Sequence, residues 1–321
     1  HMGSANILDS QKKHKIKRGV ISKYLFVFSL IAIPLLNFVV FWVYVNIATI
    51  ISTFQKFSVR TGEFAWCGFD NYIEVFHDYI FNIGNRYPEK QAVFLNSLNA
   101  IAINIIIFPL AFIAAFAFFK KIRHEKYFRI CFYLPSMISV SVLTLCYRSL
   151  FNSDFGPIAL LFAKFGYNPV WLGPDSEQMW PLIYIFSIWA GLSTNVIMMN
   201  SAMGRIPNDV MEYARLDGVG FWREAFQIVF PLVLPTVGVY LISIVTSVYS
   251  FTMQPMLIAG DPGYNNKFLT VGWYIFDTVA TGKQDSMIFA STLGIAVTLL
   301  LTPFVIAIRV IVNKCTPKVE F

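Results

Sequence analysis

Long uncharged stretches separated by short polar connections organise this chain. They run over residues 24–55, 91–119, 130–147, 178–204, 225–260 and 286–308, each near or above the roughly 18 to 20 residues that a helix needs to cross a hydrocarbon core. Lipid offers the backbone no hydrogen-bond partner, so spans of this length close their bonds internally as helices. Alternating short segments of the barrel type are not seen. The pattern predicts an all-α integral membrane fold with six transmembrane helices. It divides the chain into residues 1–23 as a basic tail, 24–55 as the first helix, 56–90 as an extracytoplasmic segment, 91–314 as a core of five helices and 315–321 as a tail. Within the core, a polar loop at about 204–231 lies between the fourth and fifth helices.

Composition agrees and excludes a soluble globular protein: 56% of the 321 residues are hydrophobic and 13% charged, with a mean hydropathy of +0.60. Charge adds orientation. Lys12, Lys13, Lys15, Lys17, Arg18 and Lys23 precede the first span, Lys120, Lys121, Arg123, Lys126 and Arg129 lie between the second and third, and Arg309, Lys314 and Lys318 follow the last. By the positive-inside bias both termini are expected on the cytoplasmic side of a cell membrane. The connections at 56–90, 148–177 and 261–285 then face outward. The net charge of +7 is a topology signal; the cations flank spans, so no nucleic-acid partner is expected. The first run is too long for a cleaved signal peptide, and His1-Met2-Gly3-Ser4 reads as a cloning remnant.

Enzyme chemistry finds no foothold. There is no Gly-rich lysine loop for a nucleotide, and His14, His77 and His124 lack a nucleophile or carboxylate constellation. Cys67, Cys131, Cys146 and Cys315 have no metal-like spacing and imply no disulfide framework. No ionisable group sits at depth in the spans. No cofactor, metal or catalytic residue is expected in this chain.

The polar loop carries the most information. Pro207 suits a first helical turn, Asp209 favours a helix N-terminus, Val210, Met211 and Ala214 form one apolar face, and Gly218 ends the helix. A second helix, about Phe221 to Phe230, is expected to stop at Pro231. Ala214 and Gly218, four residues apart, allow close backbone approach. Such a helix pair, too polar to cross lipid and too short to be a domain, presents a ridge to a partner groove.

Glu212, Ala214, Asp217 and Gly218, followed by Trp222, Ile228, Pro231 and Pro235, resemble the EAA loop of permease subunits of type I ATP-binding-cassette importers. The resemblance covers roughly residues 20–314. It extends to Gly68-Phe-Asp-Asn71-Tyr72, Asn96-Ser-Leu, Leu134-Pro135, Trp189-Ala-Gly191, Ile206-Pro207 and Gly260-Asp-Pro262 with Thr270, which together look like the carbohydrate-uptake branch, similar to maltose and glycerol-phosphate A-type permeases. Tyr213 and Val219 depart from the alanines common there, and Asp261 replaces a glycine. The resemblance implies a second permease subunit, two ATPase subunits that bind ATP and Mg, and an extracytoplasmic solute-binding protein. Transport would proceed by alternating access, with Glu212, Ala214, Asp217 and Gly218 coupling to the ATPase.

The fourth and fifth spans are the expected pathway walls. Ser243, Thr246, Ser247 and Ser250 recur at three, four and seven residues and so share one helical face. By resemblance, these four with Ser187, Ala190, Gly191 and Thr194 fall where family members line the sugar cavity. The alternative is that such hydroxyls pack between helices or bond back to their own backbone. Hydroxyls flanked by aromatics suit a neutral carbohydrate, here of oligosaccharide size; carboxylates for a polyamine or ligands for a metal ion are absent at depth. Arg148 reads as an interface anchor, with an acidic sugar as the other option. The same scaffold carrying a peptide, amino acid or phosphate ester remains open, as does a non-transport membrane protein.

Overall fold

The structure is a computed structural model and describes residues 23, 24, 26–58, 62–82, 88–167, 170–173, 176–263, 266–282 and 284–316. The cloning remnant, the basic residues from Lys12 to Arg18, and Lys318 lie outside the described residues.

Among the described residues four helices are long and apolar enough to cross a membrane: α1 (Phe26–Ser52), α3 (Pro88–Phe119), α7 (Met179–Met203) and α13 (Gln284–Cys315), qualifying over Ser286–Cys315. Between them lie α2 (Asp70–Glu74), which continues as a π-turn over Val75–Ile80, α4 (Glu125–Met137), α5 (Val140–Leu150) and α6 (Pro157–Lys164). After α7 come α8 (Asn208–Leu216), α9 (Phe221–Leu232), α10 (Leu234–Ser250), α11 (Met253–Ala259) and α12 (Val271–Thr281). Two predicted spans are not straight. The third is broken into α4 and α5 with a bend of 104°, and α9 meets α10 at 80°, so the chain has up to six spans if each bent pair counts as one.

The first bend has a local cause. Pro135 is buried inside α4, the helix ends at Ile138 in extended conformation, and the backbone N–H of Ser136 donates to Ser193 Oγ of α7 at 3.1 Å. Pro231 does not stop α9, which runs on to Leu232, and the chain turns at Val233 instead.

The all-α expectation needs one correction. Gln55–Ser58 (β1) and Glu63–Trp66 (β2) form an antiparallel hairpin directly after α1. Its four-residue strands are too short to stand out beside helical runs.

α3 and α7 pack along their length and form the centre. Ala100, Ile103, Ile107, Ala111 and Ala115 of α3 meet Met179, Ile183, Phe186, Val196 and Met199 of α7, all buried. Small residues let the backbones approach, which matters in lipid because helix association relies on packing rather than on exclusion of water. At Gly191 an added Cβ would lie 2.6 Å from Ile107 Cδ1.

Polar residues of the segments around residues 71, 96 and 270 tie neighbouring elements together. Asn71 Nδ2 donates to the carbonyls of Thr53 and Gln55 at 2.8 and 2.9 Å, and Tyr72 OH bonds Thr53 Oγ1 at 2.7 Å. Asn96 Nδ2 donates to the carbonyls of Asn266 and Leu269, both at 2.9 Å. Ser97 Oγ accepts from Val271 N, and Thr270 caps α12. Arg148 meets the chain rather than solvent: its Nη1 donates to Leu257 O of α11 at 3.3 Å.

Candidate functional site

Side chains of α3, α5, α7, α10 and α11 enclose a cavity of about 210 Å³. Of the eight predicted pathway residues, Ser187, Ala190, Gly191, Thr194, Ser247 and Ser250 line it, with Asn104, Ile107, Phe251 and Gln254. Ser243 and Thr246 do not line it; both are exposed. The stripe on α10 is therefore one face of a helix, only part of which borders this cavity.

The polar atoms differ in how far they are satisfied. Ser243 donates to Val239 O at 3.0 Å, Thr246 to Ile242 O at 3.2 Å, Ser247 to Ile244 O at 2.6 Å and Ser250 to Ser247 O at 3.2 Å. Each hydroxyl thus spends its proton on its own helix and keeps lone pairs for a donor. Ser187 Oγ and Gln254 Oε1, in contrast, are buried with no hydrogen-bond partner. Buried polar atoms are normally paired, and an unpaired one costs on the order of 1–3 kcal/mol. Both atoms belong to residues that line the cavity, one on α7 and one on α11, and each is free to bond a polar group that enters it. Tyr184 OH donates to Asn99 Oδ1 at 2.6 Å and Tyr240 OH to Asn104 O at 3.1 Å, stiffening the α3 wall. Among the described residues no acidic or basic side chain lines the cavity. Gln254 continues the three, four and seven spacing from Ser247 and Ser250 but carries no hydroxyl and lies past the break at Phe251, and the expected lining does not include it.

At the other end of α7 the polar loop folds as two short helices. Pro207 occupies the N-cap of α8, with Asp209 in its first turn. Met211 and Ala214 are buried, while Glu212 and Asp217 are exposed, as are Tyr213 at 69% and Leu216 at 82%. Gly218 takes φ +66°, the left-handed conformation that ends a helix with glycine at little cost, and no atom lies within 4 Å of where its Cβ would be. Its requirement here is conformational rather than steric. Of the four predicted coupling residues, then, Ala214 faces the core, and Glu212, Asp217 and Gly218 face out.

Sequence reasoning missed the strongest contact of this region. Glu224, 3% exposed, accepts from Lys120 Nζ through both carboxylate oxygens at 2.8 Å. The pair joins α9 to the C-terminal end of α3. Phe116 of α3 packs on Phe221 of α9 beside it, with ring centroids 4.7 Å apart.

A family model described as a binding-protein-dependent transport system inner membrane component matches residues 107–320. The probable ABC transporter permease protein YurN of Bacillus subtilis is 29% identical over 294 residues, covering 89% of this chain and 94% of YurN. The sn-glycerol-3-phosphate transport system permease protein UgpA of Shigella dysenteriae is 28% identical over 185 residues, 57% of this chain and 59% of UgpA. The chain thus spans little more than half the length of that relative. A solved bacterial alginate ABC transporter, in complex with an alginate pentasaccharide-bound periplasmic protein, contains a chain of the same fold; the TM-score is 0.75 at 18% identity, covering 94% of this chain and 99% of that one. With two-thirds of its length matched by one family model, the chain belongs to the inner membrane components of binding-protein-dependent transport systems and is a multi-pass permease subunit of an ABC importer, not an enzyme.

Proposed function

We propose that the chain works with a second permease subunit, two ATPase subunits and an extracytoplasmic solute-binding protein to import a neutral carbohydrate by alternating access. The observation that carries the substrate class is the cavity beside α7: hydroxyls, two unpaired buried polar atoms and no charged side chain. Such a lining exchanges hydrogen bonds with sugar hydroxyls and offers no counter-ion to a charged solute. A phosphate ester, suggested by the name of UgpA, would be left without a cation, and this weighs against it. At about 210 Å³ the cavity accommodates part of an oligosaccharide, below the roughly 300–1,000 Å³ of a complete small-molecule site. The second permease would supply the facing wall, on the side where Ser243 and Thr246 are exposed.

α8 and α9 would be the coupling pair. ATP and Mg bind in the ATPase partners, and closure of the ATPase dimer pushes the exposed face of α8, with Glu212 and Asp217, while buried Ala214 and Met211 pass the motion inward. The cations that flank the spans support a reading with both termini in the cytoplasm.

The reading is tested by ATP hydrolysis of the assembled importer in lipid vesicles. Its solute-binding protein is offered neutral oligosaccharides, amino acids, peptides or sn-glycerol-3-phosphate. Stimulation with uptake of a neutral saccharide is expected; stimulation only by a charged solute overturns it.

A further inference from the structure

The hairpin that follows α1 has two unlike faces. Directly opposed residues of an antiparallel ladder share a face, so Phe57 with Phe64 and Gln55 with Trp66 project to one side. Lys56 with Ala65 and Ser58 with Glu63 project to the other. The first side is aromatic and open: Phe64 is 48% exposed, Trp66 68% and the following Phe69 67%. Phe54 stacks on Trp66 with centroids 5.7 Å apart and meets Phe69 edge-on at 5.3 Å, which makes the patch continuous. Exposed aromatic clusters of this kind mark an interaction surface rather than a solvated one.

Its level relative to the bilayer follows from the chain. Trp66 pairs with Gln55, three residues beyond the end of α1 at Ser52, and Cys67 N is tied to Phe54 O at 2.8 Å. The 27 residues of α1, rising about 1.5 Å each, span about 40 Å. That exceeds the hydrocarbon core of about 30 Å and approaches the roughly 40–45 Å that includes both headgroup layers. A group held within a few residues of the helix end is therefore level with the headgroups, where indole and phenyl rings partition best. Lys56 and Glu63, on the opposite face, stay in water.

We propose that Phe54, Phe64, Trp66 and Phe69 form an interfacial anchor that sits in the lipid headgroup region beside the end of α1. Asn71, bonded to the carbonyls of Thr53 and Gln55, then transmits the fixed position to α2. The proposal requires α1 to span the bilayer and is independent of the transported solute.

The test uses the assembled importer in vesicles of phosphatidylcholine, either ordinary or brominated near the headgroup end of its acyl chains. The emission of Trp66 is obtained as wild type minus Trp66→Phe, a change that keeps the patch aromatic. Loss of most of that emission in brominated vesicles, with little quenching by aqueous iodide, is expected. Equal emission in the two lipids together with strong iodide quenching overturns the anchor. So does iodide quenching that disappears only when the solute-binding protein is added, which would make the patch a protein-docking surface.

Discussion

Lys120, at the C-terminal end of α3, and Glu224, in the first turn of α9, form an ion pair of 2.8 Å between residues 104 positions apart, with side-chain exposures of 20% and 4%. It ties the second loop helix to the end of one of the two most buried spans. Removing one partner leaves a charge without its counter-ion in a place water reaches poorly.

Glu224→Ala is expected to destabilise the subunit by about 3 kcal/mol, the low end for breaking such a pair. Lys120→Ala in the same background should recover part of the loss. Thermal unfolding of the four forms gives the coupling by a double-mutant cycle; strictly additive effects would show that the pair contributes nothing.

Gly218 offers a different kind of sensitivity, because its φ of +66° is the cause and no neighbour is crowded. Gly218→Leu should insert and assemble yet lose uptake, with the backbone penalty near 1–2 kcal/mol. Gly218→Asn, which enters the left-handed region more readily, should retain more transport. Equal uptake by both variants at equal expression would remove this turn from coupling.

Asp78 makes stability depend on acid. Burial alone would raise its pKa, but hydrogen bonds from Lys90 and His77, together with their charges, outweigh it and hold the carboxyl below the ordinary value of 3.8. A depressed folded-state pKa means the contribution is present above the unfolded value and lost as pH falls through the folded one. Wild type should therefore exceed Asp78→Asn in unfolding temperature at neutral pH and converge with it below about pH 4. A gap that persists at low pH would assign the effect to packing.

Orientation has its own check. A cysteine at Lys121 should escape an impermeant thiol reagent applied to intact cells, and one at Asp261 should react, each in a background without the four native cysteines. The reverse pattern would invert the topology.

How far the fold was legible depends on what each element needed. α3, α7 and α13 stand out because their apolar runs are long and carry few charges. The break between α4 and α5 is invisible because Ile138 and Ser139 are ordinary residues of a span; the bend arises from Pro135 and from a bond to Ser193 more than fifty residues away. Lys120 reads in sequence as one more cytoplasmic cation, and Glu224 as a solvated acid, since nothing local announces that they meet. In the cavity, the hydroxyl period found Ser247 and Ser250, but not which half of the stripe faces it. That division depends on where α3 lies, and Gln254, though at the same spacing, is passed over because the pattern follows hydroxyls.

The pathway itself is the central claim, and bulk is a sharper probe of it than alanine, because losing one polar contact changes binding by only about 1 kcal/mol. Uptake of labelled neutral oligosaccharide into vesicles is to be measured for wild type, Ser247→Trp and Thr194→Trp, alongside complex assembly and basal ATP hydrolysis. Abolished uptake with intact assembly and hydrolysis is predicted for the Ser247 variant. Unchanged uptake with tryptophan at both positions would contradict the account and place the route elsewhere.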